Sequence, residues 1–236
     1  MHKDPAAAER IRAPALGLLL RETRVALEVP RFVAFSRLAR LPPGDGHAVV
    51  VLPGFGASDL HTRPLRRALQ RLGYDANGWG LGRNLGMRPA VKAGLADLLD
   101  RLYERSGGPV SLIGWSLGGV FARELARHKP QKVRRVFTLG SPINGEPDAN
   151  NMMPLFRLAN RGKPVNPDRA GFDKRKQPPA VPCVALYSRS DGIVAWQCCL
   201  EPEAANTENV EVRGSHFGLP SNLQVLRALA ERLAKV

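Results

Sequence analysis

An α/β fold with a mostly parallel sheet is predicted by three observations. About six short β-like runs alternate with helix-like runs along the chain, the pattern of a parallel sheet covered on both faces. The pentapeptide Gly114-Trp115-Ser116-Leu117-Gly118 stands between one such run and a helix, the setting of a sharp strand-to-helix turn. Asp191 and His216 each follow a later run, just past the strand end.

The elements follow in order. The first 46 residues carry Leu16, Leu19, Leu20, Thr23 and Leu27 at helical spacing, then Phe32, Phe35 and Leu38 among Arg31, Arg37 and Arg40. Such a stripe reads as a helical segment packed on or near the core of its own domain. A helix lying on a membrane is the competing reading. Residues 49–52 are a continuous apolar run entering Pro53-Gly54-Phe55-Gly56, and read as a buried first strand. Residues 62–72 read as a helix, 74–77 as a short strand and 88–105 as a longer amphipathic helix. The loop from Asn77 to Gly86 is dense in glycine but has neither the G-x-G-x-x-G nor the G-x-x-x-x-G-K spacing of phosphate loops. It reads as a flexible wall of a pocket with Trp79 as its apolar surface; a purely structural turn explains it equally well.

Residues 109–113 supply the strand before the pentapeptide and 117–128 the helix after it. Three more strands are expected at 133–139, 182–187 and 209–213, and a closing helix at 221–235, capped by Ser221. The stretch 142–181 shows no strand and little periodicity beyond 152–158, which inside a compact domain signals a cap or lid. Within it, Arg157, Arg161, Lys163, Arg169, Lys174, Arg175 and Lys176 outweigh Asp168 and Asp173, so the cap is expected to be basic.

Flanking glycines let a serine occupy a strained turn with its hydroxyl exposed above the sheet, and a histidine oriented by an acid can then take its proton. Ser116, Asp191 and His216 occur in that order, 75 and 25 residues apart, which leaves room for the intervening elements. Each also has a bland explanation. Asp191-Gly192 is a common turn pair, and His216 is one of five histidines.

On these residues, and on Val49-Val50-Val51-Leu52-Pro53-Gly54-Phe55-Gly56, the chain resembles the α/β-hydrolase superfamily, in particular compact bacterial lipases and esterases, over roughly residues 47–236. The resemblance implies an α/β-hydrolase domain of about six strands, with 1–46 as a helical N-terminal segment and 142–181 as a short cap insertion. It also implies a serine hydrolase that cleaves carboxylic esters through an acyl-enzyme, with Ser116 as nucleophile, His216 as base and Asp191 as acid. Backbone N–H groups of Phe55 and Leu117 would form the oxyanion hole, and neither metal nor cofactor is required. Pro53 replaces the histidine usual in the first loop, which leaves a backbone-donor role intact. Phe137-Thr138-Leu139-Gly140-Ser141-Pro142 is similar to a bacterial lipase junction but continues with Ile143 where those carry histidine, favouring esterase over lipase in the strict sense. Met152, Met153, Leu155 and Phe156 in the cap are positioned to face the acyl chain of a small-molecule or lipid-like ester. An acyltransferase or thioesterase would use the same triad, whereas a non-catalytic binding protein would have little reason to keep all three residues.

A length of 236 residues suits one α/β domain, and 44% apolar with 6% aromatic residues is globular composition. Cys183, Cys198 and Cys199 make neither a disulfide framework nor a zinc spacing. The net charge of +14 comes from 27 arginines and 8 lysines spread along helices, without a zinc finger, helix-turn-helix or RNA-binding signature, so nucleic acid is not an expected partner. Weak association with an anionic membrane surface stays open. The apolar cluster at 15–20 is too short to span a bilayer, and Asp4, Glu9, Arg10 and Arg12 ahead of it argue against a secretory signal. A cytoplasmic protein, with peripheral membrane contact open, is the expectation; oligomeric state is not legible.

Overall fold

The computed structural model describes residues 11–144, 149–160 and 176–235. Six strands form one sheet: β1 (Ala48–Leu52), β2 (Asp75–Gly78), β3 (Val110–Trp115), β4 (Val133–Leu139), β5 (Cys183–Tyr187) and β6 (Thr207–Glu211). Their order is β2-β1-β3-β4-β5-β6, and every neighbouring pair is parallel. The apolar runs read from the sequence are therefore central strands, buried on both faces for most of their length; the edge strands β2 and β6 carry mixed sequences, and β4 has half-buried Arg134 and Arg135 near its start.

Side-chain alternation divides the core in two. Val49, Val51, Ile113, Phe137 and Leu139 face α3 (Asp59–Arg71) and the closing helix, which contribute Leu65, Leu69, Val225 and Leu229. Ala48, Val50, Leu52, Leu112 and Val136 face α4 (Pro89–Ser106) and α5 (Leu117–His128) through Leu95, Leu99, Phe121 and Ala122. Each fully buried leucine among these contributes about 1.5–3 kcal/mol. The sheet is thus held between two helical layers, and all its strands end at one edge.

Preceding the sheet are α1 (Leu16–Leu20), a 3-10 turn at Arg21–Arg24 and α2 (Val25–Phe35). Part of the leucine stripe expected to pack inward faces solvent: Leu16, Leu20 and Leu27 are 68%, 65% and 70% exposed, while Leu19 packs beside Ile193 and Val194. Phe32 enters the core and Glu22 is buried, so an aromatic and a carboxylate join Leu19 in holding the segment. No helix among the described residues is long and apolar enough to cross a membrane.

Three elements start two or more residues away from the sequence reading. Helix α3 starts at Asp59 because Ser58 and His61 form a reciprocal cap in which the Ser58 N–H donates to His61 Nδ1 at 3.2 Å. The closing helix, α7 (Leu223–Leu233), is capped by Asn222 and not by Ser221: Asn222 Oδ1 accepts from the N–H groups of Gln224 and Val225 at 2.8 and 3.2 Å. Strand β6 begins two residues early, at Thr207, where it pairs with Cys183. In the cap stretch, α6 (Met153–Ala159) realises the 152–158 periodicity. Arg161, Lys163, Asp168, Arg169, Asp173, Lys174 and Arg175 lie outside the described residues.

Candidate active site

Strand β3 ends at Trp115 and α5 begins at Leu117, so Ser116 alone makes the turn. Its φ of 53° and ψ of −121° make it the one non-glycine residue with positive φ among the described residues. Such a conformation costs on the order of 1–3 kcal/mol and persists only where surrounding structure enforces it. Two glycines permit it. A Cβ on Gly114 would lie 2.3 Å from Gly119 Cα, and one on Gly118 would lie 2.4 Å from the Leu52 carbonyl oxygen. The Ser116 N–H donates to Leu139 O at 2.8 Å, tying the elbow to the end of β4.

The acid loop follows β5. Asp191 Oδ1 accepts from the N–H groups of Ile193 and Val194, both at 2.8 Å, and Oδ2 lies 2.6 Å from His216 Nδ1. Asp191 and His216 are each 2% exposed. A carboxylate at Nδ1 selects the tautomer with its proton there and leaves Nε2 as the acceptor. Two further carboxylates follow Asp191 in sequence: Glu201 is bonded to Arg123 at 2.8 Å in a pair buried on both sides, and Glu203 is exposed. Burial pushes the Glu201 carboxyl up against the opposing pull of Arg123.

The loop after β1, expected to supply an oxyanion donor, is placed against Ser116, since a Cβ on Gly54 would come 3.1 Å from Ser116 Cβ. Leu117 opens α5, where backbone N–H groups have no acceptor within the helix. The Phe55 ring packs 5.1 Å from that of Phe156 on α6, so the cap helix touches this loop.

The expected pocket residues separate. Phe156 is beside the oxyanion-type loop; Leu155 is exposed; Met153 is half-buried; Met152 packs against the cluster of Ile193, Val194 and Ala195 behind the acid loop. Trp79 does not present an open wall. It is 1% exposed, sits in the core with Leu95 and Leu99, and donates its indole N–H to Gly82 O at 2.9 Å. Asp59 causes this by accepting from the Trp79 and Gly80 N–H groups, each at 2.9 Å, which draws the start of the glycine-rich loop inward. The loop approaches α6 through Gly86, where a Cβ would meet the Phe156 ring at 3.4 Å.

Four residues of the site were not singled out from sequence. Trp115 donates its indole N–H to the His216 carbonyl at 3.0 Å. Fully buried Asn84 braces the oxyanion-type loop: its side-chain amide donates to Pro53 O at 2.8 Å, and its carbonyl accepts from Gly56 at 2.7 Å. Gly140, at φ 56°, leaves room for the Asp191–His216 pair; a Cβ there would lie 3.0 Å from Asp191 Oδ2 and 3.1 Å from His216 Nδ1. Glu22 accepts from the N–H groups of Gly192, His216 and Phe217 at 2.8, 2.9 and 3.0 Å. The strand-end glycine of β4 was a visible signal; the other three depend on contacts distant in sequence. Among the described residues no group of three or more His, Cys, Asp or Glu side chains is gathered as for a metal ion.

Comparison with known proteins agrees with this fold. A sequence model of the alpha/beta hydrolase family matches residues 10–233. The polyketide synthase ThaQ of Burkholderia thailandensis is 36% identical over 115 residues, 45% of this chain and 5% of that protein. The pimeloyl-[acyl-carrier protein] methyl ester esterase of Shewanella woodyi is 31% identical over 101 residues, 42% of this chain and 37% of that one. The match thus spans well under two thirds of either curated relative. Among solved structures, a metagenome-derived lipolytic enzyme of the LipS and LipT pair superposes with a TM-score of 0.61 at 16% identity, covering 84% of this chain and 97% of that one, a likeness of fold.

Proposed function

The chain belongs to the alpha/beta hydrolase family, and on that premise we propose that it is a serine hydrolase of carboxylic esters. The observation that carries the proposal is Ser116 held at φ 53° on the turn between β3 and α5, at the same sheet edge as the bonded pair Asp191 and His216. In this reading Ser116 Oγ attacks the ester carbonyl carbon while His216 Nε2 takes the hydroxyl proton. Backbone N–H groups of Phe55 and Leu117 stabilise the oxyanion. Collapse breaks the bond to the alcohol, which leaves with the proton from His216. Water, deprotonated by His216, then attacks the acyl-enzyme, and the acid departs as Ser116 regains its proton. Asp191 orients the imidazole and offsets its transient charge. Phe55 and Phe156 line the entrance for the acyl chain, and exposed Leu155 beside them keeps lipid-like esters within the proposed substrate class.

A second reading, thioester cleavage or acyl transfer, uses the same acyl-enzyme with a different leaving group or acceptor. It is favoured by the likeness to a polyketide synthase, whereas the likeness to a methyl ester esterase favours the first reading. Turnover of a chromogenic ester series from acetate to octanoate, beside acyl thioesters of equal length, separates the readings. Preference for oxygen esters supports the proposal, preference for thioesters supports the second, and turnover of neither class contradicts both.

A further inference from the structure

A single carboxylate from the N-terminal segment joins the two loops that carry the acid and the base. Glu22 accepts from Gly192, the residue after the acid, and from His216 and Phe217. The bond to His216 spans 194 residues of sequence, and the carboxylate is 4% exposed. It does not act alone. Arg24 donates to the carbonyl oxygen of Ser190 at 3.0 Å and to its hydroxyl at 2.9 Å, while Glu28 accepts from the Ser215 N–H at 3.1 Å and from its hydroxyl.

The loops are shaped to receive this segment. A Cβ on Gly192 would fall 2.4 Å from the Leu18 carbonyl oxygen, and one on Gly218 would fall 1.8 Å from Glu28 Oε2. Both glycines therefore serve close approach to the N-terminal segment, one beside the acid and one two residues past the histidine. An acceptor shared between two loops fixes their relative position. The 2.6 Å bond between Asp191 and His216 spans those same loops, so it inherits that position.

We infer that Glu22 is a positioning residue for the catalytic pair, its carboxylate setting the distance between the acid loop and the histidine loop, so that the N-terminal segment is part of the active-site scaffold. The inference rests on the proposed roles of Asp191 and His216, and deepens them. Glutamine at position 22 retains one acceptor oxygen but turns an NH2 donor toward the Phe217 N–H; alanine removes every acceptor. A ranked effect follows, because a displacement of about 1 Å costs on the order of 100-fold in rate.

The test uses full-length protein and two readouts: kcat and KM on a chromogenic ester, and the downfield proton resonance of the His216 Nδ1–H bonded to Asp191. Glu22→Gln is expected to lower kcat about 10-fold and Glu22→Ala about 100-fold, with KM within about twofold of wild type. The resonance should shift or vanish in the same order while far-UV and near-UV circular dichroism stay native. Leu27→Ser, on the exposed side of the same segment, should change neither readout. Where a Glu22 variant is not recovered folded, Gly192→Ala, which presses on Leu18 and leaves Glu22 in place, must reproduce both changes. Folded Glu22→Ala with wild-type kcat and resonance, or a variant that loses only thermal stability, overturns the inference. The resonance needs no turnover, so an inactive wild type would count against the hydrolase reading while Glu22 is still judged by the spectrum.

Discussion

Trp115 and His216 are joined by the bond from the indole N–H to the histidine carbonyl, 3.0 Å long, with the two ring centroids 5.9 Å apart. The residue before Ser116 thus holds the backbone of His216. Trp115→Phe keeps most of the buried ring and removes the donor, leaving the His216 carbonyl only the 3.3 Å bond from the Leu219 N–H. Unfolding in urea should show a loss of about 0.5–1.5 kcal/mol, and kcat should fall about 10-fold with little change in KM. A variant with native kcat would show that the bond does not help place the base.

Asp191→Asn should depress kcat by about four orders of magnitude with the fold intact, through loss of imidazole orientation. Glu201→Gln should spare kcat, because Glu201 is engaged by Arg123. A greater kinetic loss from Glu201→Gln than from Asp191→Asn contradicts the assignment of the acid.

The same Glu201 gives a pH signature in stability. Burial holds its carboxyl above the ordinary 4.5 in the folded protein. The native state therefore keeps this proton longer than the unfolded chain does. Its contribution is complete below the unfolded value and is lost as pH rises through the folded one. The stability of wild type relative to Glu201→Gln should fall as pH rises above the ordinary 4.5 in urea titrations; a difference that rises with pH contradicts the assignment.

Phe156 packs on Phe55 at the oxyanion-type loop, with ring centroids 5.1 Å apart. Acyl chains from butyrate to octanoate should be preferred to acetate, each buried CH2 contributing about 0.8 kcal/mol until the pocket is full. Phe156→Ala should flatten this preference while leaving acetate hydrolysis largely intact. A wild type that favours acetate would remove the acyl-binding role of the cap.

Burial pushes the Cys183 thiol up to about 12 and raises that of Cys199 as well. Iodoacetamide at about pH 8 should therefore leave both unmodified in the folded protein, with esterase activity unchanged, since the thiolate is the reacting form. Mass spectrometry of the treated protein checks this; alkylation of Cys183 in folded protein contradicts it.

Much of this arrangement was legible because its signals are local. Residues 49–52 are apolar without interruption, as a doubly covered strand must be, and Ser116, Asp191 and His216 each lie just beyond a strand end. Trp79 misled because an aromatic among glycines reads as exposed, whereas its burial depends on Asp59, twenty residues earlier. The leucines of the N-terminal segment gave a helix but not its orientation: polar Glu22 turns inward to backbone donors contributed by loops near the other end of the chain. Periodicity finds elements and their apolar faces, and it is blind to a buried carboxylate whose partners are backbone N–H groups.

The most direct test of Ser116 as nucleophile is labelling with a fluorophosphonate, read by peptide mass spectrometry, beside ester turnover of Ser116→Ala. The expected result is a single adduct on Ser116, no adduct on the variant, and a kcat lower by roughly four to six orders of magnitude in a protein that remains folded. An adduct on a different serine, or turnover undiminished in Ser116→Ala, would contradict it.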